Sequence, residues 1–177
     1  METRQVVRAG VSVALLAVSA WVSIPFGPVP FTLQTMVLAM LPAAMDRTTA
    51  VMSVVGYVLL GAVGLPVFSS FSGGVGVLAG PTGGFLWGFI FGMLLATTVA
   101  HSLPSSVSPY IRALISDVAL LLVSYVCGTA QLMVVGSMGV LPALTVAVIP
   151  FIVPDAIKLA VGARVGCAVS RVHRIAA

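Results

Sequence analysis

The chain has 177 residues, 60% of them hydrophobic and only 7% charged, with eight Lys plus Arg against four acids and a net charge of +4. Soluble domains average about 25% charged and 45–50% apolar residues, so a mean hydropathy of +1.21 excludes a soluble globule: too few charges are available to cover its surface. Long, nearly uncharged runs at 6–25, 29–45, 48–101 and 118–154 identify an all-α, multi-spanning membrane protein forming one domain over 1–177.

A helix rises about 1.5 Å per residue, so roughly 18–20 residues cross a bilayer core of about 30 Å. The first span is expected at 6–24. More membrane-length runs follow it, which favours a retained span over a cleaved signal peptide. Within it Gly10, Ala14 and Ala17 fall at i, i+4 and i+7. Such a small-residue stripe permits close helix approach, either inside this chain or against another membrane subunit. Pro25, Gly27, Pro28 and Pro30 end the span, and a short second one follows at 32–45, with Thr32, Gln34 and Thr35 at its entry. Gln34 there is either a ligand contact or a loop-facing amide.

Asp46-Arg47 turns the chain into a third span at 48–64, stopped by Gly64-Leu65-Pro66. The next stretch, VFSSFSGGVGVLAGPTGGF at 67–85, is too rich in glycine to continue as a helix and too apolar for a hydrated linker. It reads as a packed loop. Gly73, Gly74 and Thr82 are its candidate ligand contacts, with a turn merely packed against a neighbour as the equal alternative, and Phe68 and Phe71 either form an apolar lid or bury the loop against helix ends.

The fourth span is expected at 85–101 and the fifth at 111–135. A short apolar helix or re-entrant piece follows at 136–154, and a sixth span at 154–172 begins on Pro154, a residue suited to the first helical turn. His101 reads as an interfacial histidine and Asp117 as a structural carboxyl near Arg112. Cys127 and Cys167 form no C-x-x-C pair and read as small buried residues. Six alternating spans put both termini and every arginine on one side, which the positive-inside rule makes cytoplasmic. The basic balance therefore requires no nucleic-acid partner.

Asp155 and Lys158, the one lysine of the chain, then lie in the first two turns of the last span, on one helix face and toward the outside. An ionisable residue at the centre of a membrane helix costs about 2.5–3.5 kcal/mol on insertion scales. Helix-dipole and i,i+3 effects return only about 0.3–1 and 0.2–0.5 kcal/mol. Two readings follow: a self-contained buried pair, or the acceptor and donor of a polar pocket open outward. No H-E-x-x-H, G-x-S-x-G or Walker A sequence is present, and no metal or cofactor motif, so an enzyme is not expected.

VPFTLQT at 29–35, LLGAVGLPVFSSFSGGVGVLAGPTGGFLWGF at 59–89 and PFIVPDAIKLAVGARV at 150–165 resemble, in the same order, the BioY family of biotin-specific S components of energy-coupling factor transporters. Three positions depart from the family pattern: Val153 precedes Pro154-Asp155 where a P-G-D is common, Phe85 follows G-P-T-G-G in place of tyrosine, and Gln131 in YVCGTAQL replaces a tryptophan. The resemblance implies a six-helix vitamin-binding subunit of the bacterial cell membrane, with its glycine-rich loop outside between the third and fourth helices. Its partners would be biotin, a transmembrane coupling subunit and two ATPases, with Gly10, Ala14 and Ala17 facing the coupling subunit. In that setting Asp155 and Lys158 meet the polar groups of biotin, with Gln34 near them, and Phe31, Phe71 and Tyr125 pack on its apolar parts. Rival readings are an S component for another vitamin, and a membrane assembly subunit that binds no small molecule.

Overall fold

The computed structural model describes residues 3–25 and 27–175. Helix α1, Thr3–Trp21, leads into a two-residue antiparallel pair, β1 at Ser23–Ile24 and β2 at Phe31–Thr32, in the register Ser23↔Thr32 and Ile24↔Phe31. This small ribbon is the one departure from an all-helical chain among the described residues. Then come α2, Gln34–Ala44, and α3, Arg47–Ala62, with a loop containing the 3-10 turn Ser69–Phe71 and the short helix α4, Val75–Ala79. Helices α5, Gly83–Ser102, α6, Pro109–Val135, α7, Val140–Ala147, and α8, Ile152–Ile175, complete the chain, with a second 3-10 turn, Ile149–Phe151, between the last two.

The expectation of six spans, the second of them short, meets a less regular bundle. Gly83–Ser102, Pro109–Val135 and the continuous stretch Val140–Val172 are long and apolar enough to cross a bilayer, while Gln34–Ala44 and Arg47–Ala62 are shorter apolar helices. At about 1.5 Å per residue, the 11 residues of α2 reach roughly 16 Å, about half of a hydrocarbon core. The shortening has local causes. The ribbon takes up Phe31 and Thr32, Gln34 starts α2, and Pro42 lies in its last turn. Apolar side chains such as Val6, Leu122, Val126 and Val153 are largely exposed, as expected of surfaces that face lipid.

Glycine stripes set how closely the longer helices approach. On α5, a Cβ at Gly84, Gly88 or Gly92 would come within 3.0 Å of backbone atoms of Cys127, Ser124 or Leu120 on α6. On α8, a Cβ at Gly162 or Gly166 would fall 2.4 or 2.5 Å from the carbonyl oxygens of Met36 and Met40 on α2. Spacing of four residues aligns each set on one face, and without side chains the backbones pack directly, the main source of attraction between helices in lipid. The core between them holds Leu16, Leu38, Val54, Tyr57, Phe68, Met93 and Leu120. A second cluster, Val29, Leu132, Ala143, Ala147 and Phe151, lies at the end that carries Asp155.

The turn before α3 is closed by Asp46, whose carboxylate accepts from the Thr49 N–H (3.1 Å) and the Thr49 hydroxyl (2.7 Å). Burial raises the Asp46 pKa, but the two Thr49 bonds, its own backbone N–H and the charge of Arg8 together hold the group below the ordinary carboxylate value.

Two outcomes are expected in detergent. Gly88→Leu forces α5 off α6 and costs about 1–3 kcal/mol, read as a lowered melting temperature, whereas Gly10→Ala, with nothing within 4 Å of the added carbon, leaves it unlowered and raises it slightly, by the roughly 0.5–1 kcal/mol that alanine gains over glycine within a helix. Asp46→Ala costs about 1 kcal/mol at neutral pH, as the loss of a helix cap does. Because the folded-state pKa is lowered, this difference is complete above the unfolded carboxylate value and closes as pH falls through the folded one.

Candidate functional site

Asp155 and Lys158 stand in the first two turns of α8, 3% and 7% exposed, and form a direct ion pair. Each is met by groups from other elements. Asp155 Oδ1 also accepts from the Thr35 hydroxyl of α2 (2.9 Å), and Oδ2 accepts from the Tyr125 hydroxyl of α6 (2.6 Å). The Lys158 ammonium donates to the Thr32 carbonyl (2.8 Å) and lies 4.2 Å from the centre of the Phe31 ring. The ribbon places both: pairing with Ser23 and Ile24 holds Thr32 and Phe31 in extended backbone above α8. Phe31 stacks in turn on Phe151, just before α8. One buried carboxylate thus joins three helices, and the ribbon closes over its partner.

A second chain of hydrogen bonds runs from the entry of α2 to the loop. The Gln34 amide donates to the Tyr57 hydroxyl (2.7 Å), which donates to the Val67 carbonyl (3.0 Å). Gln131 on α6 donates to the carbonyls of Leu78 (2.8 Å) and Gly80 (2.7 Å) and fastens the far side of the loop. Between the two anchors lies a cavity of about 70 Å³. Asp155, Lys158, Thr35, Tyr125, Gln34 and Thr82 supply its polar side, and Val29, Phe68, Phe85, Leu86, Phe89 and Phe151 its apolar walls. Among the described residues there is no cluster of His, Cys, Asp or Glu fit to hold a metal ion.

The residues expected from sequence divide into two groups. Asp155, Lys158, Gln34, Thr82 and Tyr125 line the cavity, and Phe31 lies under the Lys158 ammonium. Phe71, Gly73 and Gly74 do not line it. Ser70 and Phe71 have φ of 55° and 56°, which turns Phe71 outward to stack on Trp21 at 5.0 Å, 62% exposed. Phe68 takes the inward place, 1% exposed with its edge against Tyr57. Gly73 passes so close to the chain that a Cβ would meet the Leu65 carbonyl at 2.3 Å, and Gly74, with φ of 97°, donates its N–H to Gly61. These two glycines shape the loop. On α1, Gly10 and Ala14 are exposed and Ala17 is buried.

Tyr57, Phe89, Ser124 and Phe151 were not among the expected residues. Tyr57 had a legible signal: a tyrosine within an apolar span needs a partner for its hydroxyl. Phe89, Ser124 and Phe151 carry none, because nothing local separates a cavity wall from ordinary packing.

The model of the BioY family matches residues 1–175. The chain is 42% identical over 160 residues to the biotin transporter BioY of Thermotoga maritima, covering 90% of this chain and 92% of that one. It is 32% identical over 180 residues to the biotin transporter BioY of Rhizobium etli, covering 96% and 94%. Its fold is similar to a crystal structure of the S-component for biotin from an ECF-type ABC transporter, with a TM-score of 0.87 and 21% identity over 97% of this chain and 95% of that one.

The network predicts unequal effects of removing its two charges. Asp155→Asn leaves Lys158 a buried cation without its counter-ion and costs about 3–5 kcal/mol. Lys158→Met leaves Asp155 with the hydroxyls of Thr35 and Tyr125 and costs less. Combining the two recovers part of the Asp155→Asn loss. Melting temperatures of the three variants, measured without ligand, check the order.

Proposed function

Because the chain belongs to the BioY family, we propose that it is the biotin-capturing S component of an energy-coupling factor transporter. The observation that carries the chemistry is the buried Asp155–Lys158 pair on the wall of an otherwise apolar cavity. A carboxylate has about four lone-pair sites. Oδ1 uses its pair on Thr35 and Lys158, and Oδ2 uses one on Tyr125, which leaves an acceptor site on Oδ2. Lys158 has three donors, two of them given to Asp155 and the Thr32 carbonyl. One acceptor and one donor side by side complement the ureido ring of biotin, which offers two N–H groups and a carbonyl. Charged partners strengthen such bonds and an apolar surround amplifies them. The thioether ring and chain pack on the phenylalanine walls.

A cavity of about 70 Å³ is smaller than the roughly 300–1,000 Å³ of most small-molecule sites. Entry of a bicyclic ligand therefore requires part of the wall to move. Phe68, Ser69 and Val77, on the loop between α3 and α5, and Val29 and Pro30, on the link between the two ribbon strands, are the walls that no long helix carries. We read α1, α2, α3, α5, α6 and the α7–α8 stretch as six passages through the cell membrane, with the arginine-bearing ends and both termini in the cytoplasm and the loop outside. The exposed Gly10 and Ala14, with Ala17 behind them, are the surface for a transmembrane coupling subunit, itself joined to two ATPases. Capture occurs outside, and ATP hydrolysis in the partners drives reorientation.

Calorimetric titration of biotin into the purified protein tests this reading. Binding is expected, and Asp155→Asn or Lys158→Ala weakens it at least tenfold, about 1.4 kcal/mol. A folded protein that gives no heat with biotin sinks the proposal; heat with thiamine or riboflavin would then redirect it to another vitamin.

A further inference from the structure

The opposite end of the bundle carries a larger recess that biotin capture does not use. It is a groove of about 520 Å³ between the ends of α2, α5, α6 and α8. Arg112, Arg171, His101, Ser105 and Ser170 line it together with Cys167, and no acid is among its lining residues. A neighbouring cleft shares Cys167 and Arg171 and adds Arg164, which lies over the Tyr110 ring at 5.0 Å. Among the described residues no carboxylate pairs with these cations: the one ion pair is Lys158–Asp155. Arg112 gives one terminal nitrogen to the Pro104 carbonyl (2.7 Å), while its Nε is buried with no acceptor among the described residues. Asp117, one turn along α6 from Ala113, is fully buried and lies outside the lining.

The rest of the groove is apolar, with Pro42, Ala43, Ala100, Val107 and Ala113 on its sides. The two helices that carry these arginines also expose apolar side chains, Ile111 and Ile115 on α6 and Val169 and Val172 on α8. A soluble anion has no use for such walls. A phosphodiester with acyl chains attached uses both parts, its phosphate on the arginines and its chains along the apolar sides. Basic pockets between helices at the cytoplasmic face suit anionic lipid headgroups.

We propose that this groove is a binding site for the phosphate headgroup of an anionic phospholipid of the inner leaflet, with Arg112 and Arg171 as its anchors. The assignment to that leaflet rests on the orientation given above. The site is separate from the Asp155 cavity, so its occupancy leaves biotin affinity intact.

The test is native mass spectrometry of the full chain in detergent with phosphatidylglycerol and phosphatidylcholine at equal amounts, beside biotin titration of the same samples. Wild type is expected to retain phosphatidylglycerol preferentially. Arg171→Gln lowers that retention at least fivefold, and the Arg112→Gln, Arg171→Gln pair brings it to the phosphatidylcholine level. Arg47→Gln, on an exposed residue outside the groove, changes nothing. If the double variant fails to fold, Arg171→Gln decides alone, since that side chain is exposed and makes no hydrogen bond or ion pair among the described residues. Equal retention of the two lipids, or retention unchanged in Arg171→Gln, overturns the proposal. Displacement of phosphatidylglycerol by millimolar inorganic phosphate also overturns it, in favour of a soluble-anion site. Biotin binding is the same in every arm, so loss of the lipid result and loss of the biotin result are separate failures.

Discussion

A charged carboxylate and an ammonium do not remain in the apolar interior of a helix bundle unless each is matched by polar partners, because desolvation costs several kcal/mol per ion. Much of this molecule is arranged around that requirement. Asp155 draws a hydroxyl from α2, another from α6 and the lysine of its own helix. Lys158 draws a backbone carbonyl and an aromatic face from the ribbon. These partners come from positions 31–35 and 125, far from 155–158 in sequence. The pair is stable only when the ribbon and three helices are in place together, and the site therefore exists only in the assembled fold.

The glycine stripes make that assembly possible. Asp155 and Thr35 have short side chains, so α8 and α2 must approach closely for a 2.9 Å contact. Gly162 and Gly166, about two and three turns beyond Asp155, allow this by bringing α8 against the carbonyls of Met36 and Met40. The α5–α6 stripe does the corresponding work on the other side, where it brings Thr82 and Phe85 near Tyr125 around one cavity. Close backbone packing and buried charge are thus two parts of one design. The first supplies attraction that lipid cannot, and the second sets where the helices stop relative to one another.

The two ends of the bundle treat polarity in opposite ways. At the Asp155 end a single ion pair is buried, matched and walled by aromatic rings. At the other end Arg112 and Arg171 at an open groove, and Arg164 in the cleft beside it, have no carboxylate partner among the described residues. A buried pair has to be matched on every side, since a polar group left unpaired there costs its full desolvation penalty. Open arginines serve attraction to a surface that carries many anions.

Hydropathy by itself determined the membrane class and the approximate course of the long helices, and it singled out Asp155 and Lys158 as charges that need polar partners. Each rests on local information: the length of an apolar run, or a charge where lipid-compatible residues surround it. The same logic picked out Gln34 by its amide, whereas Tyr125 entered only through the family resemblance, as a ring to pack against the ligand, and its bond to Asp155 was not foreseen. That logic did not separate Phe68 from Phe71, two phenylalanines three residues apart in the same loop. Only the left-handed backbone at Ser70 and Phe71 decided which ring faces inward. Nor did the α1 stripe of Gly10, Ala14 and Ala17, conspicuous in sequence, mark the tightest internal contacts. Those fall at Gly84, Gly88 and Gly92 of α5 and at Gly162 and Gly166 of α8. A spacing of four residues shows that a helix can pack closely, but which backbone it meets depends on partners distant in the chain, and that was decided by the tertiary structure.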